Sequence, residues 1–318
     1  MARHLVRRLV VALVLVVGAA SLVFVLLHAV PGDPVRVFLG DFATEEQIAA
    51  VRAKLGLDRP LLVQYLDWLG GIARGDLGLS LAQQNMPVSR LIMERLPRTL
   101  EIAVVSILLG LIVGLPIGIM AALRRGRPED VGLTMSSLLT LSIPAYVSGT
   151  VLVLIFAVWL RWLPASGFVS FVDNPVRHIQ LLILPCVTLA SHLAASIARM
   201  TRSSMLETIT QDYVRTARGK GLSERLVLLR HVLRNSLLPV TTLVGLQAGN
   251  LLGGAVIVEV IFAWPGLSTL MFQGISTHDF PVVQGCVLVI SSLFIVITLL
   301  VDIVNGTLDP RLSQGEQA

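Results

Sequence analysis

The sequence predicts an all-α integral membrane protein with six transmembrane helices, and three observations carry that expectation. Hydrophobic residues make up 54% of the 318-residue chain and charged residues only 14%, against about 25% charged in soluble domains. Mean hydropathy is +0.80. Six stretches hold no Asp, Glu, Lys or Arg: Leu9–Val30, Ile102–Leu123, Val131–Leu160, His178–Ala198, Asn235–Val258 and Phe280–Val301. A helix needs about 20 mostly apolar residues to cross the hydrocarbon core, and only helices and closed barrels satisfy their backbone there. A barrel would show short alternating segments; these runs do not alternate.

The first run follows Arg3, Arg7 and Arg8 and contains Gly18-Ala19-Ala20-Ser21, which resembles a cleavage site. Its 22 apolar residues exceed the h-region of a signal peptide, about 7–15 residues, so an uncleaved first span is expected. Bases then fix orientation. Arg124, Arg125 and Arg127 fall on the same side as the N-terminus, as do eight bases between Arg199 and Arg234. The two shorter loops on the other side hold Arg161 and Arg177. Lys/Arg enrichment in short loops marks the cytoplasm, which puts both termini inside.

Residues 31–98 would then lie outside, and their length frees them from the charge rule. They read as helical. Thr44 with Gln47 makes a capping box, Ile48, Val51 and Leu55 follow at helical spacing, and Gly56 ends the helix. A second amphipathic stretch follows Pro60 (Leu62, Tyr65, Leu66, Leu69) and a third follows Pro87. The segment is expected to pack on the bundle, to dock an extracytoplasmic partner, or both. The chain thus divides into 1–30, 31–98 and a five-helix portion 99–318 that includes the cytoplasmic loop 199–234.

Pro116, Pro144 and Pro185 sit inside predicted spans, where each removes a hydrogen bond and can kink the helix. Cys186 and Cys286 have no CxxC company and read as buried, inert thiols. The six histidines are scattered, with no HExxH, so no metal site or catalytic residue is expected. Ser191 and His192 are helical neighbours and do not face each other.

The loop 199–234 is the most informative stretch. It holds eight bases against three acids, Glu207, Asp212 and Glu224. Asp212 is placed to cap a short helix on which Tyr213, Ala217 and Lys220/Gly221 share a face, with Arg215 and Arg218 on a neighbouring strip. Gly219 and Gly221 end it, and Ser223-Glu224 opens the next helix. Charge alone fits a loop that reaches toward lipid headgroups. The small residues Ala217, Gly219 and Gly221 point instead to close approach by another protein.

The chain does not hydrolyse ATP by a P-loop, which needs Lys followed by Ser or Thr. Its two lysines are Lys54, before Leu55, and Lys220, before Gly221.

The string "DYVRTARGKGLSERLVLLRHVLRNSLLPV" (212–240) resembles the cytoplasmic signature of ABC-importer permeases, in particular the first permease subunit of dipeptide/oligopeptide uptake systems. The general signature, EAA with glycine three residues later, would fall on Arg215, Thr216, Ala217 and Gly221; the Glu and first Ala are replaced. "VPGDP" (Val30–Pro34), "LGLDRPLLVQYLDW", "GDLGLS", "FAWPGL" (Phe262–Leu267), "FPVVQG" (Phe280–Gly285) and "LDPRL" (Leu308–Leu312) extend the likeness along the chain. The resemblance implies a bacterial or archaeal inner-membrane importer. Its partners would be a second homologous permease, two cytoplasmic ATPase domains carrying ATP and Mg, an extracytoplasmic binding protein and the bilayer, with no nucleic acid. It also implies that Asp212, Tyr213, Arg215, Thr216, Ala217, Arg218, Lys220 and Gly221 form the ATPase-coupling helix, and that this chain binds no cofactor itself.

Polar groups in spans are candidate functional sites. Gln247, Asn250 and Glu259 are the pathway candidates, with contact to the "FAWPGL" loop or exposure to headgroups as the alternatives for Glu259; Trp264 and Pro265 are expected in a turn at the outer interface, for which the resemblance implies a gate role. His192 is expected to bond another helix, and Asp302 to be solvated or paired with an inner base. Within transport, peptide is the expected substrate and nickel or glutathione the alternative. A cation-driven transporter needs no ATPase. A membrane-embedded enzyme, such as an intramembrane protease, needs a serine or paired aspartates that the sequence does not bring together.

Overall fold

The computed structural model describes residues 2–29, 34–39 and 43–308. In chain order its helices are α1 (Ala2–Ala29), α2 (Pro34–Leu39), α3 (Glu45–Leu55), α4 (Leu61–Ala73), α5 (Val88–Leu123), α6 (Pro128–Ser142), α7 (Ala145–Leu152), α8 (Pro175–Ile209), α9 (Asp212–Gly219), α10 (Glu224–Leu226), α11 (Arg234–Gly254), α12 (Val256–Ile261), α13 (Leu267–Ser276) and α14 (Phe280–Leu308). π-Helical turns continue α7 over Val153–Trp159 and join α10 to α11 over Val227–Leu233. Among the described residues there is no strand, only an isolated bridge between Leu79 and Pro87. Val30–Asp33, most of "LDPRL" and the side chains of Arg3, Arg7, Arg8 and Asp302 lie outside what is described.

The charge-free runs fall on α1, α5, α6 with α7, α8, α11 with α12, and α14. Three helices among the described residues, Val88–Leu123, Pro175–Ile209 and Phe280–Val301, are each long and apolar enough to cross a membrane. The expected third span is not one straight helix. Proline disfavours helical backbone in the residue before it, and Ile143, ahead of Pro144, is extended (φ −91°, ψ 122°). The chain therefore bends by 99° between Pro128–Ser142 and Ala145–Trp159.

Two compact units divide the chain: Glu101–Trp264 with the stretch from Val296 onward, and Ala2–Leu100 with Pro265–Ile295. In the first, α8 lies against α5 at backbone distance. Gly110, Gly114 and Gly118 recur every fourth residue and share one face. A Cβ on Gly114 would lie 2.7 Å from the Ala194 carbonyl oxygen, and one on Gly118 would lie 2.5 Å from that of Ala198. Small residues in this spacing let membrane helices approach closely. Further along, Gly245 of α11 receives Val301 of α14. Thr241 donates to the Asn305 side-chain carbonyl, and Asn305 donates to Thr242 at 2.9 Å.

In the second unit the capping box forms as expected: Thr44 Oγ1 accepts from the Gln47 amide, Gln47 Oε1 accepts from the Thr44 amide, and Gly56 closes α3 at φ +67°. The stretch after Pro60 packs on α1 through its aromatics rather than its leucines. Tyr65 and Trp68 stack on Phe24 at 5.3 and 5.6 Å, Tyr65 bonds Ser21 at 2.6 Å, and Leu62 and Leu66 are exposed. The third amphipathic stretch is not a separate helix; it is the opening of α5, where Val88, Leu91 and Ile92 pack with Leu267, Leu270 and Cys286. Cys186 is likewise buried.

Candidate functional site

The loop 199–234 forms the short helix α9, and its burial pattern differs from the expected one. Gln211, in extended backbone, is the N-cap; Asp212 is the first helical residue, where its negative charge favours the helix N-terminus. Val214 and Ala217, three residues apart, are 0% and 5% exposed and pack in one cluster with Ala122, Met205, Val227 and Val232. Ala217 therefore serves the packing of α9 on its own chain and does not offer a small surface to a partner. The exposed residues from Asp212 onward are Asp212, Tyr213 (44% exposed), Arg215, Thr216, Arg218, Gly219, Lys220 and Gly221.

The bases of this helix are not equivalent. Arg218 grips Glu224 through Nε at 3.1 Å and Nη2 at 2.7 Å, closing the turn in which Gly221 takes φ +79°. Hydrogen bonds from Arg218 hold the Glu224 carboxyl below the usual glutamate range. Arg215 meets Asp212 at 3.7 Å with both side chains largely exposed, a geometry that contributes little. Lys220 has no partner among the described residues. Thr216 donates its hydroxyl to the Asp212 carbonyl at 2.9 Å.

Ten residues before α9, Arg202 of α8 holds the buried Asp130 at the start of α6, at 2.6 and 2.9 Å. Asp130 also accepts from the Gly126 amide (3.0 Å) and the Thr134 hydroxyl (3.4 Å). A buried carboxylate is stable when paired and hydrogen-bonded in this way.

Toward the other end of the same unit, Glu259 is 1% exposed, so its side chain is not an acid open to headgroups. Its carbonyl accepts the Trp264 amide at 2.8 Å, closing the turn through Ala263 at φ +48°. That turn was expected, and within it the Trp264 side chain is fully buried. Its ring meets Phe168 at 4.9 Å and His178 at 5.6 Å. Sequence reasoning missed His178, whose Nδ1–H donates to the Val169 carbonyl at 2.7 Å while Nε2 faces Glu101 at 2.7 Å. His192 makes the expected bond to another helix, donating from Nε2 to the Ile143 carbonyl at 2.7 Å, at the bend before Pro144; its Nδ1 lies 3.3 Å from the Ser191 hydroxyl, so these helical neighbours do meet. On α11, Asn250 is exposed and donates to Gln247 at 3.3 Å. In the other unit, the Pro265 carbonyl accepts from Arg98 at 3.4 Å.

Comparison with known families decides the wider identity. Residues 114–314 match the binding-protein-dependent transport system inner membrane component, and residues 1–103 match the N-terminal model of such membrane components. The chain belongs to this family. Among its relatives, a putative peptide permease of Brucella ovis is 40% identical over 98% of this chain and 99% of its own. The oligopeptide transport system permease AppB of Bacillus subtilis is 39% identical with the same coverage. A chain of an inward-facing methionine ABC transporter shares the fold at TM-score 0.56 and 19% identity, covering 69% of this chain and 96% of that one. As a family member, this permease is a multi-pass inner-membrane subunit without catalytic chemistry of its own, and α9, α11 and Glu259 all fall in the region matched by the first model.

Proposed function

We propose that this permease is one membrane half of an ATP-driven peptide importer, and that α9 is the element through which it is driven. One observation carries the second part. Val214 and Ala217 anchor α9 to the permease core, while Tyr213, Arg215, Thr216 and Lys220 face outward beside the open Gly221. A helix fixed on one side and free on the other suits a rigid plug for a groove on an ATPase. Relatives about 40% identical along nearly their whole length are named peptide permeases, which supports peptide as the cargo.

In this reading the chain crosses six times with both termini in the cytoplasm. The bent pair α6–α7 forms the third crossing and α11–α12 the fifth. Gln247 and Asn250 line the pathway that a second, homologous permease completes, and Glu259 and the Trp264-Pro265 turn frame its outer end. Residues 31–98 receive an extracytoplasmic binding protein. ATP and Mg are held by the ATPase partners.

The test is assembly and transport by the whole complex. The Gly221→Trp permease should insert normally yet lose ATPase co-purification and peptide uptake. Full association and uptake in that variant would overturn the coupling role of α9. Deletion of Pro31–Pro87 should abolish stimulation by the binding protein, and unchanged stimulation would overturn the docking role of that segment.

A further inference from the structure

A groove of about 370 Å³ opens on the same unit as α9, and its lining includes none of the residues assigned above to coupling or the pathway. Its lining includes Ile119 and Leu123 of α5, Met205 of α8, and Leu228 and Leu229 of the π-helical turn. The polar residue on its rim is Arg225. Leu123 and Leu229 are 51% and 55% exposed, so the groove is open along its side.

Its depth follows from the glycine packing. Gly110 lies opposite Leu193, Gly114 opposite Ile197 and Gly118 opposite Thr201, so α5 and α8 run in register. Continuing that register brings Ala122, just before Leu123, level with Met205, and the two share a cluster. Directly after Leu123 the apolar run stops and Arg124, Arg125 and Arg127 follow. The groove therefore begins in the last apolar turn of a span and ends at the base-rich boundary. At that level the neighbouring medium changes from acyl chain to phosphate.

We infer that this groove holds one acyl chain of an anionic glycerophospholipid, with its phosphate on Arg225. Charge complementarity favours this occupant. Arg225 has no hydrogen bond or ion pair among the described residues, and the adjacent Glu224 is already held by Arg218. The loop as a whole carries eight bases against three acids, and basic pockets between spans on the cytoplasmic side select anionic headgroups. The long stem of an arginine at such a boundary lies along apolar surface while its head reaches the polar layer. The inference rests on the membrane placement proposed above for α5 and α8.

The complete transporter, reconstituted in nanodiscs of phosphatidylethanolamine and phosphatidylglycerol in equal parts, tests it by native mass spectrometry of the lipids retained on release. The wild-type complex should retain phosphatidylglycerol preferentially. Arg225→Gln should lower that preference about fivefold, the effect of one base near an anionic surface. Leu229→Trp, which fills the groove from an exposed position, should retain neither lipid there. Equal retention by all three complexes overturns the site, as does equal retention of the two lipids by the wild type. Cross-linking of a Leu229→Cys permease to the ATPase subunit also overturns it, because protein would then be the occupant. Uptake measured on the same preparations separates the two ideas: preferential phosphatidylglycerol without ATP-driven peptide uptake supports the groove while removing the importer reading.

Discussion

Asp130 and Arg202 form a two-bonded ion pair in which the carboxylate is 4% exposed and the guanidinium 29%. It joins the start of the bent α6–α7 pair to the last turns of α8, which lead into α9. Removing one partner of a buried pair costs about 3–5 kcal/mol, because the other charge is left without compensation. Arg202→Met should accordingly lower the thermal midpoint of the purified permease. The double variant Asp130→Asn/Arg202→Met should regain most of that loss. A single variant as stable as wild type would show that the pair is not formed.

The glycine face of α5 gives a second expectation. Gly118→Ala places a methyl group 2.5 Å from the Ala198 carbonyl oxygen, an overpacking that costs about 1–3 kcal/mol or more. Gly132 of α6 has nothing within 4 Å of such a methyl, so Gly132→Ala should gain about 0.5–1 kcal/mol from helix propensity. Thermal unfolding of the two variants in one detergent should shift in opposite directions.

Position on α9 should separate stability from coupling. Ala217→Leu should disturb the cluster with Met205 and Val227 and lower stability by about 1–3 kcal/mol. Tyr213→Ala and Lys220→Gln should leave unfolding within about 0.5 kcal/mol of wild type, as surface changes do, while weakening ATPase co-purification. Equal effects of all three on unfolding would contradict the orientation of α9.

Acid should loosen the turn after α9 in a defined window. The Glu224 carboxyl is held below its ordinary value of 4.5 by hydrogen bonds from Arg218. A depressed carboxyl contributes stability that is complete above that value and is lost as pH falls through the folded value. Glu224 is 57% exposed at its side chain, so the effect is below about 1 kcal/mol. Protection of the Gly219–Ser223 amides, after correction for the intrinsic pH dependence of exchange, should be unaltered from pH 7 to 5 and fall below about pH 4.5; Glu224→Gln should show the lowered protection already at pH 7.

Much of the fold was legible because charge-free runs and local caps depend on nearby residues. The Thr44–Gln47 box and the Gly56 stop formed where their side chains dictated. The bend at Ile143 was written as well: Val131–Leu160 holds 30 residues without a charge, more than one crossing of about 20 needs, with Pro144 near its middle. The repeat of Gly110, Gly114 and Gly118 was also readable but pairs with no visible partner until α8 is in place. His178 was not readable, since Glu101 lies 77 positions away and their meeting depends on how two helices pack. At the candidate site, spacing located α9 correctly. Residue size misassigned Ala217, because a small residue admits the chain's own core as readily as a foreign surface.

The close seam between α5 and α8 has a mechanical meaning. Where backbone rests on backbone, no long side chains remain to bend or change rotamer, so the pair resists shear. Helix α8 alone extends about 50 Å at 1.5 Å per residue, from the His178 end to Arg202 and beyond. A displacement delivered at α9 would thus arrive at the aromatic cluster of Trp264 as travel, undiminished by compression along the way.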